Sequence, residues 1–363
     1  MTFGSLECWL KATEVFMPLK ITNWNIEHAE KLLVNNPSAK ILDRRRRILE
    51  TLEEITPDIL CIQEGPDGEQ TIEEFCTQVL NNEWIPVLLR QPGEPLGARD
   101  SEYQMKGNQW VWFLVKPGLK NRCKLQSPTV WQSFVGAKTW TTFLWGEETP
   151  TLHSHFRHPQ VLHFDVGNGR QIEIIGVHLE SKISLKPILR DANGNLTGEF
   201  LRESLQARIK LATEARNVRQ YVEVKFKQVA NPGLIVMGDC NDGPGIDEFE
   251  NKYLFFDLIT NIQGDVLISE KFFNHALFDF PDDLSWSAKF ADKVLGIPES
   301  QNPLLLDHIL LSQPLCRGDL PLQVNAHAGL VEHEAYERHN VGANSSTRSS
   351  DHRPVSCRLD DNP

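Results

Sequence analysis

The chain has 363 residues, 40% hydrophobic and 24% charged, the balance of an ordinary globular protein with enough apolar mass for a large core. Its 49 acidic residues outnumber 37 Lys and Arg, leaving a formal charge of -12, which excludes coating nucleic acid by bulk attraction, because phosphate binding draws on surplus cations. A nuclease is not excluded, since a divalent cation in a carboxylate-lined cleft reverses the field locally.

Residues 1–16 carry Glu7, Lys11 and Glu14 where a secretory leader needs an unbroken apolar run, and no later segment is apolar over the length of a bilayer span. The expectation is an N-terminal extension over 1–17 and one domain over 18–360, with inserted loops near 129–157, 183–203, 263–302 and 322–349. Seven cysteines form no CxxC pair. Cys61, Cys240 and Cys357 lie in or beside apolar runs and read as buried thiols, which points to the cytoplasm rather than to disulfides or a zinc site.

Residues 19–26 predict a buried strand, and 39–55 a helix with Ile41, Ile48, Leu52 and Ile55 on one face, closed by Pro57. The next strand, 58–63, delivers Glu64 to a sheet edge, where Gly65 permits a sharp turn. Further strands are predicted over 109–115, 161–166, 172–179, 234–237, 304–311 and 354–359, with a long helix over 201–224. Segments 129–157 and 263–302, rich in aromatic and turn-forming residues, read as inserts. The alternation is mixed α/β with enough strands for two sheets.

An apolar strand that ends in an acid, amide or histidine brings that group to the sheet rim, where open α/β folds collect ligands. The chain does this at Asn23-Trp24-Asn25, at Gln63-Glu64-Gly65, at His178-Leu179-Glu180-Ser181, at Gly238-Asp239-Cys240-Asn241-Asp242, and at Leu306-Asp307-His308 with Ser350-Asp351-His352. Several such rims imply one shared site. Glu64 is the rigid oxygen ligand that Mg²⁺ takes with only one or two carboxylates, although a lone glutamate there also suits a loop cap. Asp239 and Asn241, two apart on an extended segment, share a face. They offer an acid or base beside neutral donors, although residues 241–245 are also a plain turn sequence. His178, taken alone, is a satisfied core histidine. Asp307 with Asp351-His352 can set a carboxylate behind an imidazole, leaving His308 on the other side of its strand.

In order and residue type these motifs resemble the endonuclease/exonuclease/phosphatase superfamily, which includes pancreatic-type deoxyribonucleases, apurinic endonucleases, tyrosyl-DNA phosphodiesterases, sphingomyelinases and inositol-polyphosphate 5-phosphatases. The resemblance runs from Ile21 to Leu359. It implies two mixed β-sheets packed face to face and flanked by helices, a deoxyribonuclease-like four-layer sandwich. It also implies that Asn25 and Glu64 bind or orient Mg²⁺ or Mn²⁺, with Asp351 completing the metal environment. Asp239 and Asn241 would contact the scissile phosphate and its nucleophile, His178 would stabilise the pentacovalent phosphate, and Asp307 would support His352.

The implied function is metal-dependent phosphodiester hydrolysis by in-line water attack, with DNA the favoured substrate and no membrane or protein partner inferred. A phosphatase or phosphodiesterase acting on a phosphorylated small molecule or lipid headgroup is the alternative. A non-catalytic binding module is disfavoured because every motif residue is present. Lys182 and Arg202, with Lys186 and Arg190, follow His178 in the chain and are the candidates for substrate phosphate. The run Arg44 to Arg47 reads as solvated or paired with Glu50, Glu53 and Glu54. His327, His333 and His339 read as exposed decoration, and Trp131, Trp140 and Trp145 as accessory core before base-stacking groups. His153, His155, His158 and His163 lack accompanying ligands at structural-zinc spacing and stay unassigned.

Overall fold

A computed structural model describes residues 18–167, 169–257 and 259–362, so the expected extension 1–17 lies outside the described residues. Two sheets carry the fold, and each is organised around one parallel pair. In the first sheet β1 (Leu19–Asn25) runs parallel to β2 (Ile59–Gly65). Parallel neighbours need a crossover, which α1 (Ala39–Ile55) supplies. Beyond β2 the sheet continues with antiparallel β4 (Trp110–Val115) and the short edge strand β3 (Ile85–Pro86). Beyond β1 lies antiparallel β13 (Val355–Asp361), joined by β11 (Leu322–Gln323) and β12 (Gly329–Val331).

The second sheet repeats the arrangement. Strands β7 (Gln171–His178) and β8 (Gly233–Asp239) are parallel, with α4 (Gly198–Gln228) in the crossover. Antiparallel β10 (Asp307–Leu311) and β9 (Asn274–His275) extend one side, β6 (Gln160–Asp165) and β5 (Cys123–Gln126) the other.

Period-two alternation divides the central strands between two cores. On β8, Ile235 and Met237 join the core shared with Ile21, Cys61 and Phe113 of the first sheet, while Leu234 and Val236 meet Leu211, Ala215, Val218 and Val222 of α4. On β7, Ile172 and Ile174 take the first side, Ile175 and Val177 the second. Burial on both faces is why these strands read as unbroken apolar runs. The outer layers are completed by α1 and α2 (Glu69–Gln78) on the first sheet, and by α4 and α3 (Pro128–Val135) on the second. Two mixed sheets face each other between helices, as the resemblance implies.

Three expectations about elements change. The apolar run 304–311 is not one strand: Pro303–Leu304 pairs with Ala288–Lys289 in a separate ribbon, and β10 begins only at Asp307. The break has a polar cause, since the Ser287 hydroxyl accepts from both Leu306 N and Asp307 N at 3.1 Å. The insert 263–302 contributes β9 to the second sheet, and the insert 129–157 contains α3 and the ribbon Trp140–Thr142 with Thr151–His153. Short strands and helices inside turn-rich sequence show no hydrophobic period long enough to read.

The sheets touch at Gly176, where a Cβ would lie 2.8 Å from Cys61 Sγ, 3.0 Å from Phe113 Cζ and 3.1 Å from Val111 Cγ1. Gly176→Val is therefore expected to lower unfolding stability by about 1–3 kcal/mol, read as a reduced urea midpoint. A wild-type midpoint would contradict this close approach.

Candidate active site

Strand register alone gathers the site. Asn25 and Glu64 stand at the carboxyl ends of the parallel pair β1 and β2, and His178 and Asp239 are register partners at the ends of β7 and β8. Asp239 is also the register partner of Asp307 at the start of antiparallel β10. Because β13 runs antiparallel to β1 with Val355 opposite Asn23, His352 falls just beyond that pair, at the same rim. Ligand sites of α/β sheets form at such carboxyl ends.

Hydrogen bonds then join the two sheets. Asn25 Nδ2 donates to Asp239 Oδ2 at 2.9 Å and makes a longer contact, 3.5 Å, with Glu64 Oε1. His28 N donates to Glu64 Oε2 at 2.9 Å. A buried relay runs alongside. Gln63 Nε2 donates to Asn23 Oδ1 at 2.7 Å, Asn23 Nδ2 to Asp307 Oδ1 at 3.1 Å, and Asp307 Oδ2 lies 2.6 Å from His352 Nδ1. Asn23 and Gln63 carry no role in the sequence reading. Their signal was present, as amides inside apolar strands that only a buried polar partner satisfies.

Ligand atoms of Asp239, Asp307 and His352 lie within 4.8 Å of one another, all buried. Burial pushes the Asp239 carboxyl up to about 6; His352 pulls against this shift and the Asp307 charge adds to it. Burial opposes the charged form of His352, but the carboxylates of Asp307 and Asp239 outweigh it and raise the imidazole to about 10. His352 Nε2 is 3.9 Å and His178 Nε2 3.6 Å from Asp239 Oδ2. Burial, then Arg157 and His352, hold His178 well below the usual histidine range, so its ring is neutral. Its Nδ1 is buried without a hydrogen-bond partner. Asn241, in the left-handed region at φ 51, donates its N–H to Asp239 Oδ1 at 2.8 Å and its Nδ2 to Leu179 O at 2.9 Å. Gly238 cannot be larger, since at φ 154 a Cβ would sit 1.9 Å from Val177 O.

Asp351 sits at the part-exposed edge of this rim, 3.7 Å from Arg348 Nη2. Ser350 Oγ donates to Asn25 O at 2.6 Å and accepts from His352 N at 3.0 Å, tying the segment to β1. Buried Arg157 donates to His178 O at 3.2 Å and to Leu179 O at 2.9 Å. It also donates to Gln109 Oε1 at 3.2 Å. No sequence pattern marks the bonds to His178 and Leu179, because these partners are main-chain carbonyls.

Lys182 and Arg202 are not brought to the cluster. The Lys182 ammonium is enclosed by Asp242 at 2.5 Å and by Asp247 and Glu250 at 3.3 Å, and Arg202 lies exposed, 3.9 Å from Glu199. Neighbourhood in the chain after His178 does not carry over to neighbourhood at the rim. In the arginine run only Arg46 follows expectation, pairing with Glu50 and Asp43. Arg45 donates to Leu32 O at 2.9 Å, Arg47 donates to His339 O at 2.6 Å as well as pairing with Asp43, and Arg44 reaches the loops at the rim. These loops cover α1 and leave carbonyls that the guanidinium forks satisfy. His308 takes a structural place as expected, bonded to Asp242 O at 2.7 Å and His275 at 2.9 Å. Of the three later histidines only His327 is exposed; His333 bonds Leu284 O at 2.7 Å and His339 bonds Glu54 at 2.8 Å.

Trp131 is core, stacked on Tyr221 with ring centres 4.1 Å apart. His155 and Trp131 both bond Asn217 Oδ1, at 3.0 and 2.9 Å, and His158 bonds Pro159 O at 2.8 Å. A cavity of about 820 Å³ opens elsewhere, beside α2 and β3, lined by Glu73, Arg90, Lys120 and Cys123 among others. It shares no residue with the rim, so convergent chemistry rather than volume locates the site.

No known family model and no curated protein matches the chain. Among solved structures it is similar to a truncated TDP2 of Caenorhabditis elegans, at 13% identity over 94% of this chain and 97% of that one, TM-score 0.49. It is also similar to the human Nocturnin catalytic domain with bound sulfate, at 17% identity over 95% and 94% of the two chains, TM-score 0.42. A third similarity is to an endonuclease/exonuclease/phosphatase family protein from Bacteroides thetaiotaomicron, at 14% identity over 95% and 98%, TM-score 0.45.

Burial lowers His155 to about 4 and His158 and His275 to about 3 from an ordinary value of 6.5. Each is neutral when folded and protonates on unfolding. Its contribution to stability is therefore full above 6.5 and is lost as pH falls through the window toward the folded value. Between pH 7 and 5 the loss is about 2 kcal/mol per histidine. Urea titrations of His158→Gln are expected to show a shallower pH slope than wild type over that window. Equal slopes would contradict a neutral, buried His158.

Proposed function

We propose that the chain is a divalent-metal-dependent phosphodiesterase that cleaves DNA by in-line attack of water. One observation carries this: Asn25 links Glu64 to Asp239 beside an Asp307–His352 pair, at the carboxyl ends of two parallel strand pairs. The donor set suits a hard cation. Glu64 and Asp351 are part-exposed carboxylates at the rim, and Asn25 adds an amide. Mg²⁺ or Mn²⁺ held by Glu64 and Asn25, with Asp351 completing its surroundings, would neutralise charge on the scissile phosphate and its leaving oxygen.

The chain supplies the rest. Asp239 is ionised at neutral pH and takes the proton of the attacking water, whose oxygen bonds phosphorus as the opposite P–O bond breaks. The backbone N–H of Asn241 fixes that carboxylate. His352, whose Nδ1–H donates a hydrogen bond to the Asp307 carboxylate, presents a cationic Nε2–H to the phosphoryl oxygens and a proton for the leaving oxygen. Neutral His178 adds a second donor on the same side. No covalent enzyme intermediate is required.

The charge of -12 and the enclosure of Lys182 by three carboxylates favour, as the second reading, a phosphorylated small molecule or headgroup. Among the described residues no helix is long and apolar enough to cross a membrane. The free thiols Cys61, Cys76, Cys123, Cys240, Cys316 and Cys357 fit the reducing cytoplasm we assign as its compartment.

Glu64→Ala, Asp239→Ala and His352→Ala are each expected to lose about 10²–10⁴-fold in turnover while remaining folded. The assay pairs Mg²⁺ or Mn²⁺ with supercoiled plasmid, linear and single-stranded DNA, RNA and phosphorylated metabolites. Plasmid nicking is the expected result. Phosphate release from metabolites alone would move the assignment to the second reading, and full activity in any variant would count against both.

A further inference from the structure

Two segments far apart in sequence must hold a fixed distance at the rim. One is the exit of β1, Asn25 to His28, and the other is Ser349 to His352, ahead of β13. Their strand pairing ends at Asn23 with Val355. Arg44, on α1, reaches into the space beyond. Its Nη2 donates to Ile26 O at 2.8 Å and to Glu27 O, and its Nε donates to Ser349 O at 3.3 Å.

Among the described residues no carboxylate stands within ion-pair distance of this guanidinium, although Glu27 and Asp351 are near enough to favour its charge. An arginine without a salt bridge, bonded only to carbonyls of two loops, holds geometry rather than balancing one charge. The consequence passes directly to the reacting groups. Ile26 and Glu27 follow Asn25, and Ser349 precedes Ser350, whose hydroxyl bonds Asn25 O and His352 N.

We infer that Arg44 is a positioning residue for phosphodiester cleavage, clamping the loop after Asn25 to the loop before His352; the inference rests on the function proposed above. Lysine cannot replace it, because an ammonium on a flexible stem lacks the planar fork that reaches carbonyls on both loops. Arg47 provides the contrast. It lies on the same helix and donates to His339 O at 2.6 Å and Val341 O at 3.3 Å, away from the rim groups.

The test compares Arg44→Ala, Arg44→Lys and Arg47→Ala with wild type for melting temperature, kcat and KM, with and without added guanidinium ion. The His352 Nδ1–H resonance is followed in parallel on metal-free protein. Arg44→Ala is expected to lose about 10–100-fold in kcat with little change in KM, since small misplacements of reacting groups cost on that scale. It should recover part of the loss with guanidinium, and its His352 resonance should shift. Arg44→Lys should share the kcat loss without rescue, whereas Arg47→Ala should lower the melting temperature and leave kcat and the resonance unchanged.

Wild-type kcat in a folded Arg44 variant, a loss confined to KM, a loss matched by Arg47→Ala, or an unmoved resonance would overturn the clamp. Should Arg44→Ala not fold, Arg44→Lys carries the same comparison. If wild type cleaves none of the substrates the functional reading fails, while the His352 resonance still decides the clamp.

Discussion

The structure depends on one buried contact, the Asn25 amide set between Glu64 of its own sheet and Asp239 of the other. A buried carboxylate is costly unless donors or cations face it, and Asp239 has donors from both sides of the sandwich: Asn25 from one sheet and Asn241 from the other. The neighbouring relay through Gln63, Asn23 and Asp307 does the same for His352. Two apolar sheets could slide over one another at little cost if only hydrophobic area joined them, because that attraction has no direction. Directed bonds between sheets fix the alignment, and they do so where the chemistry is proposed.

The same constraint explains why the reactive groups come from strand ends so distant in sequence. Each sheet has a parallel pair at its centre, and parallel strands finish at a common rim. Asn25 with Glu64, and His178 with Asp239, follow from that fact alone. Antiparallel β10 then starts where β8 stops, bringing Asp307, and antiparallel β13 starts where β1 stops, bringing His352. Backbone topology thus selects which residues meet, and side-chain packing sets only the final distances.

Much of this was legible in the sequence because doubly buried strands are long apolar runs and their polar end residues stand out. The central strands of both sheets, α1 and the core of α4 were readable on that basis. What was not legible depends on long-range partners. Arg44 and Arg157 bond backbone carbonyls, which carry no sequence identity, and the apparent strand over 304–311 is broken by a hydroxyl of Ser287 that no local pattern reveals. The pairing of Lys182 is unreadable for the same reason. It follows His178 in the chain, yet Asp242, Asp247 and Glu250 take its charge, and those acids come from a loop dozens of residues later.

The proposed function requires these strand ends to meet around a single divalent cation. Crystals grown with Mn²⁺ and measured at its absorption edge test it most directly. One strong anomalous peak is expected at the rim, bonded to the Glu64 carboxylate, and it should disappear in Glu64→Gln crystals. A peak remote from Glu64 and Asn25, or catalysis at the wild-type rate in protein stripped of metal and held in chelator, would contradict it.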